Sequence, residues 1–462
     1  MFKFSGGIHP PIYKSSTKGK PIRRAKIPKR VILATSQHTG RPSEPIVKPG
    51  DIVSAGSMVA KAAGFISSNL HSPVSGKVLS IERAPHPVLG KCLAIIIETD
   101  YDGRGGPRPA PTTIDIGTLS PETIIQAIAD AGIVGLGGAA FPAHVKLSPP
   151  KEKKIGTLII NGAECEPYLT CDHRLMLERP ADIIKGVEII AKVLSVNNVI
   201  IGIEDNKPDA IKAIKTVIAR SEATKQSPSS KEIASPATKL WRARNDVLRI
   251  VSLPSKYPQG SEKQLIKTLL NRETPSGGLP FDAGVVVQNV ATALAIYEAV
   301  ALNKPLYERV ITVSGDCIKE PGNLLVKIGT PAADIVEECG GFISEPEKII
   351  FGGPMMGIAQ TGIDAPVIKG TSGILFLSRG EATSPLRLDE ESICIRCGAC
   401  VRICPIGLEP TNIYYAALKS RVDLIKEYSA IDCIECGACS WGCPAKLELA
   451  AMIKYAKTMV KK

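Results

Sequence analysis

The feature that most constrains this chain is a run of four cysteines that occurs twice near its C-terminal end. Each run has the spacing Cys-x2-Cys-x2-Cys-x3-Cys-Pro, and the second begins 39 residues after the first. The runs are Cys394, Cys397, Cys400 and Cys404, followed by Cys433, Cys436, Cys439 and Cys443. Cysteines two residues apart in a tight Gly-Ala turn can bring several sulfurs to one metal centre. This part of the chain is therefore predicted to fold around its cysteines.

The spacing resembles that of bacterial ferredoxins with two 4Fe–4S clusters, in which the fourth cysteine of each run binds the other cluster. It predicts one cluster on Cys394, Cys397, Cys400 and Cys443, and a second on Cys433, Cys436, Cys439 and Cys404. Zinc is the alternative, but a zinc site pairs one Cys-x2-Cys with a distant second pair and needs no third cysteine. The other five cysteines lack the spacing of a disulfide framework, which favours a reducing, cytoplasmic setting.

Length and charge limit the remaining possibilities. A chain of 462 residues is long enough for about three or four domains. The net charge is +12, and the first 30 residues contain nine Lys or Arg and no acid. Such an arm suits an acidic protein, an anionic lipid surface or nucleic acid, or it is simply solvated. No nucleic-acid-binding motif accompanies it, so we expect no nucleic-acid partner.

Two stretches bear on a membrane role. No apolar run follows the N-terminal charge, so we expect no signal peptide. The most apolar long stretch, residues 284–302, contains Gln288, Asn289 and Glu298 and is predicted to be a buried helix and not a membrane span. Any membrane contact is therefore expected to be peripheral.

Residues 47–98 contain short β runs separated by Gly and Pro turns, which predicts a small closed β module. The order of its turns resembles the lipoyl and biotinyl barrel-sandwich family. In that family a lysine at a hairpin tip carries the prosthetic group, and here the corresponding tip, residues 67–72, has no lysine. We therefore expect a docking or packing role and no acyl or biotin carrier. Residues 101–111 are rich in Gly, Pro and Arg and are predicted to be a linker.

The centre of the chain alternates strands and helices, which predicts a parallel sheet with covering helices. A predicted helix over residues 121–131 leads into the glycine-rich loop at 132–142, and a strand over 154–161 ends in Asn161 and a polar cluster with Glu164, Glu166 and Asp172. Ligand sites of open α/β sheets lie at such strand ends. Residues 221–245 have no hydrophobic period and are predicted to be a surface insertion.

With these motifs in view, the chain resembles the C subunit of the Rnf complex, a membrane ferredoxin:NAD oxidoreductase, and its centre resembles the FMN- and NADH-binding subunit of respiratory complex I. The resemblance implies a multidomain α/β and α+β fold in four parts. These are a basic arm and barrel-sandwich module without a lipoyl lysine (1–110), a Rossmann-like FMN/NADH domain (111–302), a small soluble-ligand-binding β-grasp domain (303–365) and a helical two-cluster ferredoxin-like domain (366–462).

The resemblance also implies cofactor residues. Those expected to hold FMN are Gly135, Gly137, Gly138, Lys146, Asn161, Glu164, Tyr257, Gly260 and Asn289. Those expected to face NADH are Phe141, by stacking, and the carboxylates of Glu166 and Glu262. The chain departs from the family pattern at Leu136, Ala140 and Ala163, where the family has Arg, Gly and Asp. The motif at 352–357, Gly-Gly-Pro-Met-Met-Gly, also recurs in the family, but its sequence suggests no chemistry.

These parts fit one task, since a nicotinamide moves two electrons as hydride, each cluster moves one, and a flavin converts between them. The resemblance implies a peripheral subunit on the cytoplasmic side of a membrane complex coupled to Na⁺ or H⁺ transport, with other subunits as partners and ferredoxin as an indirect one. The alternatives are a soluble cobalamin reductase of similar sequence and an iron–sulfur relay without flavin.

Overall fold

The computed structural model describes residues 2–100, 115–223, 247–380 and 393–460. The predicted linker at 101–111 and all but the first three residues of the predicted insertion at 221–245 lie outside these ranges. Four units can be distinguished, which we call the barrel unit (30–99), the parallel-sheet unit (115–302), the mixed-sheet unit (308–377) and the cysteine unit (393–460). Residues 2–24, the arm, precede them.

The barrel unit consists of two small antiparallel sheets whose buried apolar residues belong to one core. After β1 (Ile22–Arg24) in the arm, its strands are β2 (Arg30–Ala34), β3 (Glu44–Pro45), β4 (Ile52–Val53), β5 (Met58–Lys61), β6 (Leu70–His71), β7 (Gly76–His86) and β8 (Gly90–Thr99). The sheet orders are β2-β8-β7-β4 and β3-β5-β6. Alternate residues such as Val31, Leu33, Ile95 and Ile97 point inward and are fully buried.

The predicted tip of this unit packs inside the molecule. Ser68 Oγ donates to the carbonyl oxygen of Gly132 at 3.0 Å, and Asn69 Nδ2 donates to that of Ala129 at 3.3 Å. The ammonium of Lys369, which is 1% exposed, donates to the carbonyl oxygens of Asn69 at 2.7 Å and Gly132 at 2.6 Å. The tip therefore forms the joint between the barrel unit and the start of the glycine-rich loop.

The parallel-sheet unit contains a four-stranded sheet in the order β11-β10-β9-β12, with all its strands parallel. The strands are β9 (Thr157–Gly162), β10 (Asn198–Glu204), β11 (Val247–Leu253) and β12 (Val285–Asn289). The helices are α1 (Pro121–Asp130), α2 (Ala143–Lys146), α3 (Cys171–Glu178), α4 (Pro180–Leu194), α5 (Pro208–Ala223), α6 (Glu262–Leu270) and α7 (Val290–Leu302), with 3-10 turns at Ile116–Thr118 and Pro280–Ala283. Strand order reverses between β9 and β12, the switch point where doubly wound folds bind ligands.

The prediction of one helix over residues 284–302 is wrong for its first part. Residues 285–289 form β12 because Val285, Val286 and Val287 are β-branched and fill a strand buried on both faces. Asn289 then caps α7, since its side-chain oxygen accepts hydrogen bonds from the amides of Ala291 and Thr292. A strand that runs directly into a helix looks like one apolar stretch.

The mixed-sheet unit has a six-stranded sheet in the order β1-β14-β13-β17-β15-β16. Its elements are β13 (Glu308–Ser314), β14 (Gly322–Lys327), α8 (Ala332–Glu338), β15 (Lys348–Phe351), β16 (Ile358–Gln360) and β17 (Gly373–Leu377). Strand β1 of the arm adds to its edge, parallel to β14. This sheet therefore includes strands on both sides of the predicted 303–365 domain.

The cysteine unit is helical, with α9 (Ala399–Ile403), α10 (Pro410–Leu418), α11 (Val422–Glu427), a 3-10 turn at Ala430–Asp432, α12 (Ala438–Trp441) and α13 (Leu449–Val460). Each cysteine run enters its short helix through a glycine in the left-handed region, Gly398 at φ 69° and Gly437 at φ 76°. The helices of the described residues include none with the length and apolar character needed to cross a bilayer.

Candidate functional site

Two asparagines mark the switch point of the parallel sheet. Asn161, at the end of β9, and Asn289, at the end of β12, are register partners. Asn161 Nδ2 donates to the carbonyl oxygen of Gly260 at 2.8 Å, and Asn289 Nδ2 donates to Asp172 Oδ2 at 2.6 Å. Residues predicted from distant parts of the sequence thus converge on one sheet edge.

The glycine-rich loop lies against this edge. An added Cβ at Gly137 would lie 3.4 Å from the Asn289 Cβ, whereas one at Gly138, where φ is +113°, would meet nothing within 4 Å. Ala140, at the position of the family's last glycine, still adopts the left-handed φ of 49°. Leu136, which replaces the family's arginine, is buried, and its amide donates to Thr292 Oγ1 at 2.9 Å. The loop thus keeps an open side at Gly138.

The loop is closed on itself and fixed to the barrel unit. The amide of Gly135 donates to the carbonyl oxygen of the partly buried Phe141 at 2.8 Å. Thr39 of the barrel unit donates its hydroxyl to the carbonyl oxygen of Ala139 at 2.9 Å and its amide to that of Ala140 at 3.1 Å. The barrel unit thereby helps to set the conformation of the loop.

Lys146 and Glu262 form an ion pair. Lys146 ends α2, and Glu262 begins α6. The side chain of Lys146 is 19% exposed and that of Glu262 is 40% exposed, so the carboxylate remains accessible. The structure thus joins a residue predicted to hold FMN to one predicted to face NADH.

Glu164 is turned into the protein at the N-terminus of α3. Its carboxylate accepts hydrogen bonds from the amides of Asp172 at 2.7 Å and His173 at 3.3 Å, and Lys14 Nζ lies 3.8 Å from it. Burial raises the pKa of Glu164 to about 7, although the Lys14 ammonium opposes this shift. The carboxylate therefore ties the loop after β9 to the first turn of α3.

Glu166 has partners that the sequence prediction did not include. Its two carboxylate oxygens accept hydrogen bonds from the amides of Met355 at 3.1 Å and Met356 at 3.0 Å, within the 352–357 motif. Burial raises the pKa of Glu166 to about 7 against the opposing effect of these amides. The motif without apparent chemistry thus serves to hold Glu166, whose role facing NADH remains a prediction.

Tyr257, predicted to contact FMN, also touches the cysteine unit. Its side chain is almost fully buried, and its hydroxyl donates to the carbonyl oxygen of Cys436 at 2.6 Å. Tyr257, Cys436, Ile8 and Ala438 form one apolar cluster, against which Met355 packs. The second cysteine run therefore lies directly against the candidate flavin site. Gly260, also in this region, donates its amide to Cys165 Sγ at 3.3 Å.

One cavity brings together cysteines of both runs. Cys404 of the first run lines one apolar cavity together with Cys433, Cys436 and Cys439 of the second. The amide of Leu408 donates a hydrogen bond to Cys404 Sγ at 3.3 Å, and the amide of Glu435 donates one to Cys433 Sγ at 3.4 Å. Four sulfurs, donated N–H groups and apolar walls fit an iron–sulfur cluster.

The second cysteine set is closer to the surface. Cys400 and Cys443 are buried in the core of the cysteine unit, Cys394 is partly buried beside them and Cys397 is exposed. The amide of Arg396 donates to Cys394 Sγ at 3.4 Å. We call the cavity with Cys404 the near-cluster site, because it adjoins Tyr257. We call the set of Cys394, Cys397, Cys400 and Cys443 the outer-cluster site.

Two lysines at the site were missed by the sequence analysis. The buried ammonium of Lys207 donates to the carbonyl oxygen of Ala163 at 2.6 Å, and that of Lys14 donates to the carbonyl oxygen of Glu164 at 2.5 Å. Lys207 follows the end of β10 by three residues, so the strand-end rule could have found it. Lys14 comes from the arm and has no local signal.

Comparison with known proteins identifies the family. The chain is 47% identical over 456 residues to the C subunit of the proton-translocating ferredoxin:NAD(+) oxidoreductase complex of Clostridium ljungdahlii, covering 98% of this chain and 93% of that protein. The chain belongs to the RnfC family. It is 44% identical over 457 residues to the C subunit of the Na(+)-translocating ferredoxin:NAD(+) oxidoreductase complex of Acetobacterium woodii, covering 98% and 96%. It is 42% identical over 414 residues to the C subunit of the ion-translocating oxidoreductase complex of Rhodobacter capsulatus, covering 89% and 74%.

Domain families match in the predicted order and confirm the predicted fold class. They are the RnfC barrel sandwich hybrid domain (2–102), the Nuo51 FMN-binding domain (128–298), the SLBB domain (310–359) and the 4Fe-4S dicluster domain (390–450). The fold is also similar to a chain of an NAD+-reducing [NiFe]-hydrogenase in the H2-reduced state, with a TM-score of 0.51 and 16% identity, over 76% of this chain and 64% of that one.

Proposed function

We propose that this chain is the electron-transfer subunit of a membrane ferredoxin:NAD oxidoreductase that translocates Na⁺ or H⁺, and that it passes electrons between NAD(H), FMN and two 4Fe–4S clusters. One observation carries the proposal, namely the contact of Tyr257 with the carbonyl of Cys436, which joins the candidate flavin site to the near-cluster site at 2.6 Å. Relatives of the chain are named for this reaction.

In this proposal FMN lies at the switch point of the parallel sheet. Asn161, Asn289 and the open side of the loop at Gly138 hold it, while Gly135, Gly137, Glu164, Tyr257 and Gly260 shape the surrounding backbone and walls. The flavin supplies the conversion between hydride transfer and single-electron transfer. The residues of the chain bind and orient it between the nicotinamide and the near-cluster site.

The side that receives NADH is assigned to Phe141 and Glu262, and Lys146, predicted to hold FMN, pairs with Glu262 at the boundary between the two. Glu262 is accessible enough to accept a hydrogen bond from a ligand, and its ion pair with Lys146 orients its carboxylate. Glu166 and Glu262 were both predicted to face NADH. We favour Glu262 for this role, because both carboxylate oxygens of Glu166 already accept hydrogen bonds from the 352–357 motif.

The departures from the family pattern are compatible with flavin. Ala163 is fully buried in an apolar cluster with Leu253 and Leu265, so its side chain points into the core. Ala140 adopts the backbone conformation that a glycine would adopt, as its φ of 49° indicates. Neither residue blocks the open side of the loop at Gly138.

The clusters are assigned by the crossed pattern, with Cys404, Cys433, Cys436 and Cys439 at the near-cluster site and Cys394, Cys397, Cys400 and Cys443 at the outer-cluster site. Because Cys397 is exposed, we assign to the outer-cluster site the exchange of electrons with the other subunits and, through them, with ferredoxin. The chain is assigned to the cytoplasmic face of the membrane, which it contacts through those subunits.

A flavin-less relay is the competing function, because the family pattern is incomplete at Leu136, Ala140 and Ala163. The test is NADH-dependent reduction of ferricyanide by the purified, cluster-containing chain, measured anaerobically with and without FMN. We expect turnover that requires FMN. Intact clusters with no FMN binding and no NADH-dependent turnover would instead select the relay.

A further inference from the structure

The arm was expected to be solvated or to meet an outside partner, but it runs across three units of the molecule. The amide of Phe2 donates to the carbonyl oxygen of Thr268 in α6 at 3.0 Å. Lys14 is buried at the parallel-sheet unit, and Ile22 begins β1 at the edge of the mixed sheet. The arm therefore makes its main contacts within the molecule, many of them through backbone groups, and not through its exposed positive charges.

The first part of the arm packs against the backbone of the near-cluster site. The amide of Gly7 donates to the carbonyl oxygen of Ile403 at 2.8 Å. Gly6 has φ +61°, and an added Cβ would lie 2.7 Å from the carbonyl carbon of Cys404 and 2.8 Å from the carbonyl oxygen of Ile403. Only glycine allows the arm to approach this cysteine so closely.

The next residue connects this contact to the candidate flavin site. Ile8 and Tyr257 exchange two backbone hydrogen bonds, of 2.8 Å and 2.9 Å. The Tyr257 hydroxyl in turn donates to the carbonyl oxygen of Cys436. The arm and Tyr257 together therefore hold the near-cluster site at Cys404 and at Cys436.

A second contact lies at the end of β9. Lys14 Nζ donates to the carbonyl oxygen of Glu164 at 2.5 Å and lies 3.8 Å from the Glu164 carboxylate. Both side chains are almost fully buried, at 6% and 4% exposed. A charge-assisted hydrogen bond in such a setting fixes the backbone of a loop strongly. Lys18, four residues further along the arm, is exposed.

We propose that the arm is a strap that positions the redox sites for electron transfer. Gly6, Gly7 and Ile8 fix the near-cluster site against the parallel-sheet unit, and Lys14 fixes the loop after β9 at Glu164. This inference rests on the proposed function and adds to it. The residues of the strap are positioning residues, because they act through Cys404, Tyr257 and Glu164.

The test compares two variants with matched controls from the same arm. Gly6→Ala pushes the strap away from Cys404, whereas Gly19→Ala adds a Cβ that meets nothing within 4 Å. Lys14→Met removes the buried ammonium, whereas Lys18→Met removes an exposed one. Each protein is loaded with FMN and clusters, and its iron and sulfide contents are checked.

Anaerobic stopped-flow mixing with NADH separates flavin bleaching from cluster bleaching. A misplacement of about 1 Å can cost up to about 100-fold in rate, so we expect Gly6→Ala to slow cluster bleaching about tenfold while flavin bleaching keeps its rate. Lys14→Met should raise the FMN dissociation constant about tenfold through the lost charge-assisted hydrogen bond. Hydrogen exchange at the amides of Gly7, Ile8 and Tyr257 should accelerate in Gly6→Ala and not in Gly19→Ala.

The outcomes separate this inference from the proposed function. Unchanged cluster bleaching in Gly6→Ala, together with unchanged FMN affinity in Lys14→Met, would overturn the strap. If Gly6→Ala fails to hold its clusters, Lys14→Met alone decides by its FMN affinity. Unmodified protein whose flavin does not respond to NADH would overturn the proposed function itself.

Discussion

The two Gly-Ala turns of the cysteine unit offer an internal control for the contact between the redox sites. Gly437, in the second run, and Gly398, in the first, have φ of 76° and 69°. An added Cβ at Gly437 would lie 2.5 Å from the backbone oxygen of Met355, whereas one at Gly398 would lie 3.3 Å from the end of the flexible Arg402 side chain. The prediction is that Gly437→Ala disturbs electron transfer and Gly398→Ala does not.

The magnitude follows from this geometry. Alanine in the left-handed region costs about 1–2 kcal/mol, and both variants share this cost. Ordinary contact begins at 3.4 Å, so in Gly437→Ala the turn must move about 0.9 Å away from Met355. Such overpacking costs a further ~1–3 kcal/mol. We expect Gly437→Ala to have the lower thermal midpoint and to bleach its clusters about tenfold more slowly after mixing with NADH.

The assay is anaerobic stopped flow on FMN- and cluster-loaded proteins, with iron content measured on the same samples. Flavin bleaching is recorded in the same traces, because Tyr257 donates to the carbonyl oxygen of Cys436 beside Gly437, and a changed flavin rate would show that the flavin site itself has moved. Equal rates of cluster bleaching in the two variants, at equal iron content, would refute the idea that electrons pass from the flavin site to the clusters by way of the second cysteine turn.

Three further predictions concern single side chains. Cys443→Ser should abolish the outer cluster, while iron analysis and electron paramagnetic resonance still detect the near one; loss of the near cluster instead would contradict crossed ligation. Burial lowers the pKa of Lys369 from 10.5 to about 7, so between these values the folded protein binds fewer protons than the unfolded chain and stability rises with pH. The difference in free energy of unfolding between the native protein and Lys369→Met, measured by chemical denaturation, should therefore grow from pH 7 to 9 by about 1.4 kcal/mol per pH unit, and a flat difference would count against it. Glu262→Gln should raise the KM for NADH and leave the thermal midpoint nearly unchanged, since the partly exposed ion pair with Lys146 contributes at most about 1 kcal/mol. An unchanged KM would remove Glu262 from the site.

Local patterns predicted much of the fold and of the candidate site. The cysteine spacing is a short-range signal, and the cavity shared by Cys404 and the second run agrees with it. The strand-end rule located Asn161, because β9 is a continuous apolar run that stops at a polar residue. The helix predicted over residues 121–131 is α1, and Ser120 caps it by accepting a hydrogen bond from the Thr123 amide at 3.2 Å.

Contacts made by backbone groups across long stretches of sequence could not be predicted in this way. Glu166 is bound by amides 189 and 190 residues away, and an amide has no side-chain signature. Gly6 meets Cys404 for a steric reason that only the packed structure reveals. Lys14 resembled the other arm cations in sequence, and only its burial beside Glu164 distinguishes it.

In the proposed function, electrons pass through this chain from NADH through FMN to its clusters. The most direct test is an anaerobic NADH titration of the cluster-reconstituted protein after excess FMN has been removed, followed by visible absorbance. We expect bleaching of a bound flavin band, accompanied or followed by cluster reduction. Cluster absorbance without a flavin band and without a response to NADH would contradict it.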